Sequence, residues 1–299
     1  MILLRRSCLV LALAAPGLSA RAGDERPLRV VASFSILADM LRNVGGDEVE
    51  VYALVGPDAD AHVFEPRPAD ARRLAQADLV VVNGLGFEGW IDRLVRTSGY
   101  RGPVIVASEG VAARRIAGAP DPHAWQDLRL AQRYVRNLRD ALARARPALA
   151  ATFEGRAQAY LERMAALDAQ VRRVLDSVPA QRRRVIASHD AFGYFGSAYG
   201  VEFLALQGLS TDSEPSAAGI ARLIEQIRAQ RVGAVFVENI SDPRLVQRIA
   251  REANATVGGR LYSDALSAPG TQADTYLKFF AHNADTIARA LSQGTGRSE

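Results

Sequence analysis

Cysteine is almost missing from this chain: 299 residues hold one, Cys8. It lies inside an apolar run near the N-terminus, so a mature chain without that run has no disulfide and no thiolate. Any metal site must then rest on nitrogen and oxygen donors. Histidine is scarce as well, at four residues. Lysine occurs once, as Lys278, and we read the abundance of arginine as codon composition rather than function. Beyond residue 22 there is no run of about 18 or more apolar residues, so no membrane span is expected there. Gly84-Leu85-Gly86 lacks the third glycine of a dinucleotide fingerprint and precedes an acidic residue, which argues against phosphate binding.

Residues 1–22 read as a secretory signal. Arg5 and Arg6 give the positive start, Cys8 to Leu18 the short apolar run, and Ala20-Arg21-Ala22 a small-x-small cleavage site. Cys8 is not in a lipoprotein-type position, because a lipid-bearing cysteine follows the apolar run. Loss of Arg5, Arg6 and Arg21 leaves 34 Lys+Arg against 33 Asp+Glu, a net charge of about +1. The basic pI of the whole chain is thus no argument for nucleic acid, and none is expected as a partner.

From Leu28 onward, short apolar strands alternate with amphipathic helices, the pattern of a parallel sheet with right-handed crossovers. Strands are expected at Leu28–Phe34, Val49–Val55, Leu79–Val82 and Val104–Ala107. A second set is expected at Val185–Ser188, Val201–Leu206, Ala234–Val237 and Thr256–Leu261. Helices are expected near Ile36–Val44, from Pro68, at Ala217–Ala229 and Pro243–Ala253, and from about Gln272 to Leu291. Between the two sets, Leu128 to Val178 is almost all helix former, with one break at Pro147. After it Leu149, Phe153, Tyr160, Met164, Leu167, Val171 and Leu175 recur at helical spacing. That stripe predicts a helix of about 30 residues, some 45 Å long, a rigid spine between two halves. The expected fold is α/β: two lobes, each a parallel β-sheet flanked by helices, joined by one long spanning helix. The divisions are a signal at 1–22, an N-terminal metal-binding lobe at 23–146, a linking helix at 147–180 and a C-terminal metal-binding lobe at 181–299. The tail after Gly294 is expected to be disordered.

Three of the four histidines sit in similar short loops: Asp60-Ala61-His62-Val63-Phe64-Glu65-Pro66, Asp121-Pro122-His123-Ala124-Trp125 and Ser188-His189-Asp190-Ala191-Phe192. Imidazole is the commonest protein ligand for zinc and its neighbours. Ligands of parallel sheets gather at the carboxyl ends of strands, where His189 and Asp264 each follow a strand of the second set. His62 follows the second strand of the first set. Two ligands from each lobe would close one site in the cleft. His62, His123, His189 and Asp264 suit tetrahedral zinc, and a bidentate Asp264 would also suit manganese or iron. Taken alone, Asp264 reads as a helix cap before Ala265. His282, on the last helix, reads as a packing or surface residue. Glu65, Asp190 and Glu238 are candidates to orient imidazoles, with capping or turn formation an equal account of each. Trp90 and Trp125 read as packing residues, and Arg182-Arg183-Arg184 as a solvated turn.

Taken in order, these segments resemble the zinc- and manganese-binding solute-binding proteins of bacterial ABC importers, cluster A-I. The resemblance rests on His62-x-x-Glu65-Pro66, Asn83-Gly84-x-Gly86-x-Glu88-x-Trp90, Asp121-Pro122-His123-x-Trp125, His189-Asp190-Ala191-Phe192-x-Tyr194-Phe195 and Tyr262-Ser263-Asp264. It implies two α/β lobes joined by a long helix and metal ligands at His62, His123, His189 and Asp264. It further implies a non-catalytic periplasmic carrier that hands a divalent ion to a membrane permease. A periplasmic metallochaperone is a further candidate partner, and a monomer is expected. Two features depart from zinc-binding members: Glu109 to Pro120 holds no histidine, and the disulfide of the second lobe is absent. The third ligand is histidine where manganese-binding members carry glutamate, so zinc is expected, with manganese the alternative. A zinc hydrolase using Asp264 as base is the competing reading, and no His-Glu-x-x-His helix supports it. A surface adhesin is a third, made less attractive by the missing lipid-anchoring cysteine.

Overall fold

The computed structural model describes residues 26–213, 215–230, 232 and 234–293. The expected signal at 1–22 and the tail after Gly294 lie outside them. In the first lobe, β1 (Leu28–Phe34), α1 (Ser35–Gly45), β2 (Val49–Val55), α2 (Pro68–Ala75), β3 (Leu79–Val82), α3 (Ile91–Ser98) and β4 (Val104–Val106) alternate. The four strands are all parallel, in the order β2-β1-β3-β4. Their exposure follows from that order. All of β3, and all of β1 except Arg29, is buried, as in strands covered by helices on both faces. Val104 and Val106 of the edge strand β4 remain exposed.

A hairpin of β5 (Arg115–Ile116) and β6 (Ala119–Pro120) then leads into α4 (Leu128–Ala145) and α5 (Ala150–Asp176). The second lobe repeats the first scheme with β7 (Arg184–Ala187), α6 (Gly193–Tyr199), β8 (Glu202–Ala205), α7 (Ala217–Gln230), β9 (Ala234–Glu238), α8 (Pro243–Ala253) and β10 (Val257–Leu261). These strands are also parallel, ordered β10-β9-β7-β8, and α9 (Tyr276–Gln293) closes the chain. Among the described residues no helix is long and apolar enough to cross a membrane.

The spanning helix α5 has 27 residues, about 40 Å at 1.5 Å per residue. Pro147 opens a short 3-10 turn before it, because proline has no N–H for a helix interior but suits a first turn. Every residue of the expected stripe is buried except Leu149, which is half-buried at the start. That stripe packs on α4 and α1 from the first lobe side and on α9 and α6 from the second. One continuous apolar cluster therefore runs from β1 through α5 to α9, while each sheet covers its other face with a smaller core of its own. The lobes also meet directly. The buried Asp39 of α1 accepts the Tyr276 N–H at 3.0 Å, and Ser35 Oγ accepts the Leu266 N–H at 3.0 Å.

The closing helix starts at Tyr276, four residues later than the apolar pattern suggests. Side chains explain the delay. Ser267 Oγ accepts the Ala273 N–H at 3.0 Å and Asp274 accepts the Gly270 N–H at 2.8 Å, so a turn competes successfully with helix. Asp264, for the same reason, caps no helix. The segment β5–β6 and the short helices α3 and α6 carry too few periodic residues to have been expected.

Because Phe153 is fully buried on α5 and lies in the core shared by the lobes, Phe153→Ala should lower the unfolding free energy by about 3–5 kcal/mol. Urea denaturation followed by circular dichroism checks this; a loss below about 1 kcal/mol would contradict the shared core.

Candidate metal centre

The four expected residues arrive from four different connections, all at the carboxyl ends of the two sheets. His62 lies in the loop after β2, His123 in the turn after the β5–β6 hairpin, His189 just beyond β7, and Asp264 three residues beyond β10. Each offers a donor atom, and these atoms all lie within 4.8 Å of one another. His62 Nε2 and His189 Nε2 are each 3.1 Å from Asp264 Oδ2, and His123 Nε2 is 3.7 Å from Oδ1. For comparison, donors about 2.05 Å from one tetrahedral zinc are about 3.3 Å apart. His123, His189 and Asp264 are fully buried, and the His62 side chain is 4% exposed.

Each imidazole is held by a carboxylate that takes its own backbone N–H. Asp60 Oδ1 accepts from His62 N at 2.9 Å, Asp121 Oδ1 from His123 N at 3.0 Å, and Glu238 Oε1 from His189 N at 2.9 Å. Two of these carboxylates also reach the ring. Asp121 Oδ1 is 2.9 Å from His123 Nδ1, and Glu238 Oε2 is 2.6 Å from His189 Nδ1, the latter off the line of a hydrogen bond. A carboxylate at Nδ1 favours the proton there, which leaves the Nε2 lone pair facing the centre. Asp121 is itself fixed: Arg114 Nη1 donates to its Oδ2 at 3.1 Å, and the Tyr194 hydroxyl donates to its carbonyl at 2.9 Å.

Electrostatics and burial meet in Asp264. Burial would raise its carboxyl, but the imidazoles of His189 and His123, with His62 also close by, hold it well below the usual carboxylate range. Burial would likewise lower the His189 imidazole, yet Glu238 and Asp264 hold it well above its usual value. The three Nε2 atoms and both Asp264 oxygens have no hydrogen-bond partner in the protein. So many buried lone pairs around one point are costly unless something joins them. Three nitrogens and one or two oxygens, without sulfur, match what a divalent transition metal needs.

The surrounding wall explains several other residues. At Gly84, Leu85 and Gly86 φ is +83°, +57° and +82°, and a Cβ on Gly84 would lie 2.5 Å from Val106 Cγ1. That tight turn is locked by the buried Glu88, which accepts from Asn83 N at 2.6 Å, Gly84 N at 3.1 Å and Ser33 Oγ at 2.6 Å. Burial raises the Glu88 carboxyl. The turn orients side chains around the centre. It places Phe87 edge-on to His62, ring centroids 4.9 Å apart, while Asn83 Nδ2 donates to Pro122 O at 3.0 Å and so steadies the His123 turn. Trp125 Nε1 and Gln126 Nε2 both donate to Ser263 O, at 2.9 Å each, tying one lobe to the residue beside Asp264. Trp90 Nε1 donates to Ala61 O at 2.8 Å, beside His62. Both tryptophans therefore hold ligand loops as well as packing.

Of the three carboxylates considered as orienting groups, the structure puts Glu238 on an imidazole. Glu65 is exposed and Asp190 half-buried, and neither hydrogen-bonds to a histidine ring. Asp121 and Asp60 were the orienting groups missed. Their signal was the repeated Asp-x-His, since an aspartate readily accepts the N–H two residues on. His282 stands apart, with Nε2 3.0 Å from Arg260 O.

Known proteins resemble this chain in sequence and in fold. The manganese-binding lipoprotein MntA of Halalkalibacterium halodurans is 32% identical over 291 residues, covering 95% of this chain and 97% of its own. The zinc-binding protein TroA of Treponema pallidum is 35% identical over 281 residues, covering 91% of each. The solved structure of the periplasmic zinc-binding protein TroA superposes with a TM-score of 0.86 at 33% identity, over 89% of this chain and 99% of that one. Residues 30–290 match the family of ZnuA, described as the periplasmic component A of the zinc-uptake complex. With that match across both lobes and the spanning helix, the chain belongs to this family.

Proposed function

We propose that this chain is the substrate-binding protein of an ABC-type metal importer, and that His62, His123, His189 and Asp264 enclose its cargo, a divalent cation. The observation that carries the reading is the convergence of four buried donor sets, two from each lobe, whose lone pairs have no partner in the protein. Zinc is the favoured ion. Three imidazoles and one carboxylate suit its tetrahedral preference, and nitrogen at the third position favours a softer, later metal over manganese. The relatives do not separate the two, since their names give zinc for one and manganese for another.

Carriage rather than catalysis fits a centre where protein atoms occupy all four positions, because a hydrolytic zinc keeps one for water. The same reading has a signal at 1–22, lobes of 23–146 and 181–299 about the 147–180 linker, a monomeric protein working in the periplasm, and delivery to a membrane permease. Loading by a periplasmic metallochaperone belongs to the proposal as a separate, optional step.

His123→Ala and His189→Ala should each weaken zinc binding by more than about 100-fold, whereas His282→Ala, outside the centre, should leave it unchanged. Competition titration against a chromogenic chelator measures all three. Wild-type affinity in the His189→Ala protein would refute the ligand set.

Affinity should also fall with pH, since the metal must displace protons from imidazole. The His189 imidazole is held above its usual value, so in the free protein it binds a proton more tightly and competition begins at higher pH. Each proton released changes affinity about tenfold per pH unit. Calorimetry at pH 7.5 and 5.5 should differ by about 100-fold or more, and equal affinities would reject the reading.

A further inference from the structure

Asp60 differs from the other two carboxylates that hold histidine N–H groups. Asp121 and Glu238 each turn back to a ring nitrogen of the histidine they cap. The second oxygen of Asp60 instead accepts a 2.6 Å hydrogen bond from Thr211 Oγ1, across the cleft in the other lobe. Its first oxygen remains on His62 N at 2.9 Å. One carboxylate thus joins a ligand loop of the first lobe to the segment after β8 in the second.

That segment, Leu206 to Ser213, is anchored on both sides of another ligand. Gln207 N donates to Ser188 O at 3.1 Å, and Gly208 O accepts from Asp190 N at 3.0 Å, so it grips the residues flanking His189. Gln207 Nε2 donates to Ser213 O at 2.8 Å, which folds the segment into a strap. Thr211 lines a cavity of about 500 Å³ with Asp60 and Ser188. Asp212 lines a separate groove with His62, Val63 and Trp90. The strap therefore runs between two recesses, Thr211 lining one and Asp212 the other. Among the described residues, its one side-chain hydrogen bond to the first lobe is Thr211–Asp60.

We propose that Thr211 and Asp60 form an inter-lobe latch that sets how fast the cation enters and leaves. This rests on the ligand assignment made above. Opening the latch frees the strap and, through Asp60, loosens the loop of His62, the imidazole whose capping carboxylate does not also reach its ring. His62 is then the ligand that opens first. Thr211 and Asp60 are positioning residues, acting on the cation through His62 and the strap.

Thr211→Val keeps the shape of the side chain and removes the donor. A hydrogen bond to a charged group of this kind supports about a tenfold change in an opening equilibrium. Zinc release into excess chelator, and zinc uptake followed by the fluorescence of Trp125, whose ring is 5.3 Å from that of His123, should both accelerate about tenfold. The dissociation constant should move less than about threefold, because opening speeds both directions. Thr211→Ser should restore wild-type exchange. Unchanged exchange in Thr211→Val, with normal zinc binding, overturns the latch alone; so does weaker affinity with an unchanged uptake rate, which marks a purely static role. A wild-type chain that takes up no zinc overturns the latch together with the ligand assignment.

Discussion

Burying three imidazoles against one carboxylate is the constraint on which this structure turns. Removed from water, those lone pairs and that charge are unfavourable unless they share a counter-charge. On the proposed reading a divalent cation supplies it, and the protein's work is to hold four donor groups close enough to be satisfied together. The capping carboxylates do this economically. Each fixes the backbone of one histidine, and two of them also lie against a ring nitrogen, where a carboxylate favours the proton. The attraction between His189 and Asp264 helps to depress the carboxyl and to raise the imidazole, which Glu238 raises further.

Keeping the donors together across two lobes calls for a rigid frame. The shared apolar cluster around α5, with α1 and α9 packed on it, makes the two sheets parts of one body rather than beads on a linker. Polar ties at the cleft add to it. Asp58 N donates to Leu266 O at 2.9 Å, and Asn239 Nδ2 donates to Asp58 Oδ1 at 3.0 Å. Against this frame, the strap after β8 makes one side-chain hydrogen bond to the first lobe among the described residues, which is why exchange can be controlled there without disturbing the spine.

Much of this was legible in the residues. Parallel strands announced themselves as continuous apolar runs, since strands buried on both faces need no alternation. The α5 stripe was clear because seven residues kept helical register across it. The histidines stood out by scarcity and by similar neighbours. What stayed hidden depended on tertiary contact. Asp121 carried only a capping signal, the Asp-x-His spacing it shares with Asp60, and nothing local pointed to its contact with the ring. Glu238 lies 49 residues from His189 in sequence, so nothing local could assign it to that ring. The late start of α9 turned on Ser267 and Asp274 side chains, which propensity alone does not weigh.

Anomalous diffraction from crystals of the zinc-loaded chain tests the central claim most directly. One peak should lie within about 2.0–2.2 Å of Nε2 of His62, His123 and His189 and of a carboxylate oxygen of Asp264. A peak elsewhere, or one touching only some of the three imidazoles with water completing its shell, would contradict the account.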